Sequence, residues 1–144
     1  MVAIGVYDYL DGDADLSDST VVLQIEEEIH NIKYQDPKRA EGFARLEYQL
    51  SKKIDYKVGI CNGLRLMGDL MMIGDNLDSS LIYVQQSYDL SIKYGLEYQE
   101  LKANYSIGNY NFYTSDYQQA LTYYFKVDEI AREKYPTEIG GAAN

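Results

Sequence analysis

Apolar residues recur at intervals of three and four along most of the chain: one set runs Val21, Ile25, Ile29, Ile32 and a second Phe43, Leu46, Leu50, Ile54. That spacing returns side chains to one face of a helix, whereas a half-buried strand needs strict alternation, and none is sustained anywhere. Breaks fall near Gln35-Asp36-Pro37, Asp55-Tyr56, Gly74-Asp75-Asn76, Gly95, Thr114-Ser115-Asp116 and Tyr135-Pro136. The pattern predicts an all-α protein of six helices, each of roughly 15 to 20 residues.

Three of these breaks carry groups suited to the free amides of a first helical turn. Asp36 is expected to cap the second helix with Pro37 at its first position, and Asp75 or Asn76 to cap the fourth. Ser115 with Gln118 reads as an S-x-x-Q capping box for the sixth. The signals fall at nearly equal intervals, which suggests a repeat.

Shifting the chain by 40 positions sets Met67-Gly68 on Ile107-Gly108, Asp75-Asn76-Leu77 on Ser115-Asp116-Tyr117, and Tyr83 on Tyr123. The reverse shift sets Phe43 under Tyr83 and Leu50 under Leu90. The first helix fits a shift of 39, with Ile25 under Leu64 and Ile32 under Met71, which predicts a first turn one residue shorter. Three antiparallel helix pairs follow, at about residues 18–56, 57–96 and 97–136.

Composition narrows the function. The chain has 144 residues, with 13 Lys and Arg against 23 Asp and Glu, a formal charge of −10. Such a surface argues against nucleic acid and anionic membranes, which need basic clusters, and no stretch approaches the roughly 18 apolar residues of a membrane span. Cys61 is the only cysteine and His30 the only histidine, so no disulfide scaffold, zinc cluster or Cys/His relay is possible. Phosphate-loop, dinucleotide and nucleophile-elbow motifs do not occur. Neither an enzyme nor a cofactor or metal site is expected.

The remaining candidates have plain readings. Asp11, Asp13 and Asp15 hint at a calcium loop, but counting from Asp11 the sixth and twelfth positions are Leu16 and Val22 where Gly and Glu are required. Residues 1–17 therefore read as an acidic leader. Glu26-Glu27-Glu28 is placed in the first two turns of the first helix, where the dipole favours negative charge. Cys61, one turn before Leu64, reads as a small buried hydrophobe. Tyr83, Tyr88, Tyr123 and Tyr124 sit at packing positions of the second helices.

At Asn104-x2-Ile107-Gly108, Ala120-x3-Tyr124 and Pro136, the third pair resembles a tetratricopeptide repeat (TPR), whose signature is W-x2-L-G-x2-Y, then A-x3-F, then Pro. The second pair matches with Leu64-x2-Met67-Gly68 and Ser80-x3-Val84, and the first with Ala40-x3-Ala44. The period is 40 rather than 34, Asn104 replaces the first aromatic, and the first pair lacks the glycine. Long-period arrays of this texture are similar to those of bacterial sensor kinases and transcriptional regulators.

The resemblance implies three repeats stacked as a right-handed superhelical solenoid over residues 18–139, with the first helices lining a concave groove. Carried over position by position, it assigns Glu26, Arg65 and Tyr105 to one row of that groove. His30, Asp69 and Asn109 form the next, then Lys33, Met72 and Phe112, with Asn62 and Lys102 at a fourth position. Arg65 and Lys102 are suited to a carboxylate, Asn62, Tyr105 and Asn109 to a ligand backbone, and Phe112 with Tyr113 to an apolar anchor. The implied role is a non-catalytic protein- or peptide-binding module, the sensing or scaffolding part of a larger bacterial signalling protein. A homo-oligomer formed through an exposed terminal helix is the alternative. Gly140 to Asn144 reads as the start of a truncated fourth repeat, because Ala143-Asn144 follows Ala103-Asn104 by 40.

Overall fold

The apolar spacing is realised as six helices in a computed structural model that describes residues 19–136. They are α1 (Ser19–Ile32), α2 (Pro37–Lys53), α3 (Lys57–Ile73), α4 (Leu77–Lys93), α5 (Glu97–Tyr113) and α6 (Tyr117–Lys134). No strand occurs among the described residues. The acidic leader and the expected fourth repeat lie outside them.

Each helix packs against the next, and α3 also touches α5. From α2 onward the helices start at residues 37, 57, 77, 97 and 117, so every unit is one helix and a three-residue turn. These four turns share one geometry. Asp55, Asp75, Gly95 and Ser115 each adopt a positive φ of 57° to 68°, and the following amide bonds back to a carbonyl in the last helical turn, as Tyr56 N–H does to Ser51 at 2.8 Å. A left-handed residue here closes off the free carbonyls of a helix end.

The expected caps hold in part. Asp36 accepts from Arg39 N–H at 3.1 Å with Pro37 next in line. At α6 the cap is Asp116, which accepts from Gln119 N–H at 3.3 Å; Ser115 is the left-handed residue of the preceding turn and forms no capping box. Asn76 stands at the α4 cap position without a side-chain bond, and Asp75 is again the left-handed residue. The first turn also differs from expectation: α1 ends at Ile32 and residues 33–36 form a turn closed by Gln35 and Asp36 N–H on the Ile32 carbonyl. Glu26-Glu27-Glu28 lies beyond the first turn of α1, so the dipole does not explain it.

The main core joins α1, α2 and α3 through Ile25, Ile29, Phe43, Leu50, Leu64 and Met67, with two smaller clusters beyond, Met72, Val84 and Ile107 in one and Leu101, Val127 and Ala131 in the other. Burying each such side chain contributes about 1.5–3 kcal/mol. Helix approach is set by small residues. A Cβ on Gly68 would lie 2.9 Å from the Ser80 carbonyl and collide with Val84, and Ser80 Oγ donates to the Gly68 carbonyl at 2.9 Å. Ala40, Ser80, Ala120 and Cys61 are buried, as the pattern required.

Candidate functional site

A groove of about 890 Å³ opens along α1, α3 and α5, with Tyr124 of α6 at one end. Its walls follow from register. Residues three and four apart on a helix share a face, so Arg65 and Asp69 of α3, and Lys102, Tyr105, Asn109 and Phe112 of α5, reach the same side as His30 of α1 and Lys33 in the turn after it. Of the eleven residues that the sequence assigns to the groove rows, nine line it: His30, Lys33, Arg65, Asp69, Met72, Lys102, Tyr105, Asn109 and Phe112. Tyr113 joins them. Glu26 and Asn62 lie behind the wall, where Asn62 Nδ2 donates to Glu26 Oε2 at 3.1 Å.

The polar groups in and behind this wall are deeply buried. Asn62 is 5% exposed and Arg65 9%. Arg65 Nη1 donates to Asp69 Oδ2 at 3.1 Å, while Arg65 Nε and Asp69 Oδ1 are buried without a partner. Burial raises the Asp69 carboxyl above its ordinary range even though Arg65 opposes the shift. Burial and then Lys33 lower the His30 imidazole, which keeps it neutral near pH 7. Lys102 is pushed down to about 8, mainly by burial and next by the Arg65 charge. Its ammonium lies 5.2 Å from the Tyr98 ring centre, an arrangement that stabilises a cation only modestly.

Aromatic side chains dominate the other half. Tyr105 and Tyr124 rings are 5.5 Å apart, and Tyr124 Oη donates to Asn109 Oδ1 at 2.6 Å. Asn109 therefore keeps its amide N–H groups for a ligand. Phe112 and Tyr105 are each about half exposed, and Phe112 meets Tyr117 edge-on with centroids 5.4 Å apart. One half of the groove thus offers charge and the other a rigid apolar surface, the usual division between orientation and anchoring in recognition sites.

Sequence reasoning missed Glu47. It is fully buried on α2, and no donor from the surrounding amides, hydroxyls or cations reaches either carboxyl oxygen. It faces the Glu26 carboxyl, and burial together with that neighbour pushes it well above the carboxylate range. Two carboxyls that face each other can hydrogen-bond only if one carries a proton, and the raised Glu47 is the one suited to carry it. Asn62, Glu26 and Glu47 bring α3, α1 and α2 together behind the groove. The signal was present, since Glu47 stands four residues after Phe43 and three before Leu50, on the apolar face.

Among the described residues no group of His, Cys, Asp and Glu could hold a metal ion, and no helix is long and apolar enough to cross a membrane. Cys61 is buried, and burial raises its thiol pKa, which disfavours the reactive thiolate. Compared with family models, with curated proteins and with solved structures, the chain matches none.

Proposed function

We propose that the chain is a non-catalytic peptide-binding module whose three TPR-like helix pairs stack as a right-handed superhelix, with an extended ligand lying along the groove. The observation that carries this reading is a single groove built by alternate helices, α1, α3 and α5, and holding both a charged and an aromatic half. Such a surface suits an extended chain, which presents backbone groups to Asn109 and a large side chain to Phe112. Its place would be the sensing or scaffolding part of a larger bacterial signalling protein, as the repeat texture implies.

Selection from a random peptide display library, followed by backbone amide shifts of the labelled protein, tests the reading. Selected peptides should shift Asp69, Lys102 and Asn109, and the pair Asn109→Ala with Phe112→Ala should weaken them by about ten-fold without unfolding the chain. Shifts confined to residues outside the groove would remove it.

Self-association is the second reading, favoured by Tyr117, Leu121 and Phe125, spaced four apart on α6 and each more than half exposed. Sedimentation at two concentrations decides it: a dimer present in the parent and lost in Leu121→Glu supports it, and a monomer at both ends it.

A further inference from the structure

The groove is cationic in a strongly acidic protein. Against a net charge of −10 for the whole chain, its lining carries Lys33, Arg65 and Lys102 and a single carboxylate, Asp69. Neither Lys33 nor Lys102 has a carboxylate within ion-pair distance among the described residues. Their ammonium groups rest instead over Tyr34 and Tyr98, at 5.1 and 5.2 Å from the ring centres. Asp69 is committed to Arg65, whose Nε is nonetheless buried with no acceptor. Behind the wall burial and the Glu26 carboxyl push Glu47 toward its neutral form, while Glu26, which accepts from Asn62, and Asp69 face Lys102 and offset only part of the charge of the three cations.

Placing cations together in a partly desolvated groove is unfavourable unless something anionic joins them. We propose that the ligand is an acidic peptide bound in extended form, its side-chain carboxylates spread across Lys33, Arg65 and Lys102 and an aromatic residue seated against Phe112. This rests on the peptide-groove reading and adds the ligand's chemistry to it. Arg65 and Lys102 stand on α3 and α5 and Lys33 in the turn that follows α1, and packed helices lie about 8–10 Å apart. One carboxylate cannot bridge that span. An extended peptide advances about 3.3 Å per residue, so acidic residues roughly three apart match the spacing, and a free C-terminus is not required.

The lysine's lowered pKa gives the binding a second signature. An anion seated beside Lys102 favours its charged form, so complex formation takes up protons near pH 8.

The test uses the full chain and three short peptides, each acetylated and amidated to remove terminal charge: one with glutamates at every third position and one phenylalanine, the same peptide with glutamines, and the same with lysines. Calorimetry at about 50 mM salt should find the glutamate peptide at least about ten-fold tighter than the glutamine one, with the gap closing as salt is raised. Lys33→Gln and Lys102→Gln, both on partly exposed positions, should each weaken the glutamate peptide about three- to ten-fold and leave the glutamine peptide unchanged. Proton uptake should appear in the first titration and vanish in Lys102→Gln.

Equal binding of the glutamate and glutamine peptides in the groove would overturn the acidic-ligand inference and leave the peptide groove standing. A preference for the lysine peptide would overturn it as well. Failure of all three peptides to shift any groove amide would remove both.

Discussion

Helices α3 and α6 have nearly the same length and follow the same kind of turn, yet they live in different surroundings. In α3, 13 of 17 residues are buried, including Asn62 and Arg65; in α6 only Ala120, Val127 and Ala131 are. The cause is the number of neighbours, because α3 is packed by α2, α4 and α5 while α6 packs mainly on α5. Turn geometry and helix length therefore fix the register, and position in the stack decides how much each helix contributes to stability. The cost of a substitution should scale with that position.

The largest contrast is expected from deleted core side chains. Leu50→Ala, in the cluster that α3 completes, should lose about 3–4 kcal/mol, whereas Val127→Ala on α6 should lose about 1–2. Urea unfolding of both variants measures the difference, and equal losses would mean that α6 is as firmly held as the centre.

Adding a methyl sharpens the same comparison. At Gly68 the new Cβ meets the Val84 side chain and the backbone of α4, 2.9 Å from the Ser80 carbonyl and 3.2 Å from the Val84 nitrogen; at Gly108 its nearest neighbours are ring carbons of Tyr124 at 2.9 and 3.0 Å. Rings can swing and backbone cannot, so Gly68→Ala should lose about 2 kcal/mol and Gly108→Ala less than about 1. A thermal melt of each variant reads this directly.

Buried charge is a third difference. Folded Glu47 keeps a proton that the unfolded chain gives up near its ordinary value of 4.5. Its contribution is thus fully present below that pH and is lost as pH rises toward the raised folded value. Glu47→Gln, which stays neutral, should remove that fall, so variant and parent should diverge in stability above about pH 5. Asp128→Asn in α6, whose partner Arg132 lies at 2.8 Å on an exposed surface, should change stability by no more than about 0.5 kcal/mol at any pH.

The smallest effect is a gain. Asp55 and Ser115 hold φ values of 57° and 68°, where a Cβ is strained. Asp55→Gly and Ser115→Gly should each stabilise by about 0.5–1 kcal/mol. The gain from Asp55→Gly should exceed that from Ser115→Gly in denaturant if the end helix frays before the centre unfolds.

The helices and every break between them were legible because apolar spacing and turn residues act locally. Asp36 was readable as a cap for the same reason. The α6 start was misread by one residue because Ser115 and Asp116 are adjacent and both can cap; only the left-handed backbone at Ser115 separates them. The groove residues came from the resemblance and from register, which place side chains on a face but say nothing of depth. Arg65 and Asn62 are buried because α5 and α1 close over them, a property of the stack that no local pattern carries. Glu47 was hidden by an assumption about charge: a carboxyl on an apolar face looks like an error of periodicity until Glu26 is seen opposite.

Helix starts at residues 37, 57, 77, 97 and 117 also make this chain something that can be counted out in copies. A duplicate of residues 57–96 inserted after residue 96 begins and ends beside turns of the same length, so everything downstream would keep its facing direction. A single residue inserted within a helix would instead rotate all that follows by about 100° and turn the groove wall outward. Growth of such a protein by gene duplication is therefore quantised, with whole helix pairs tolerated and small insertions tolerated only in the turns.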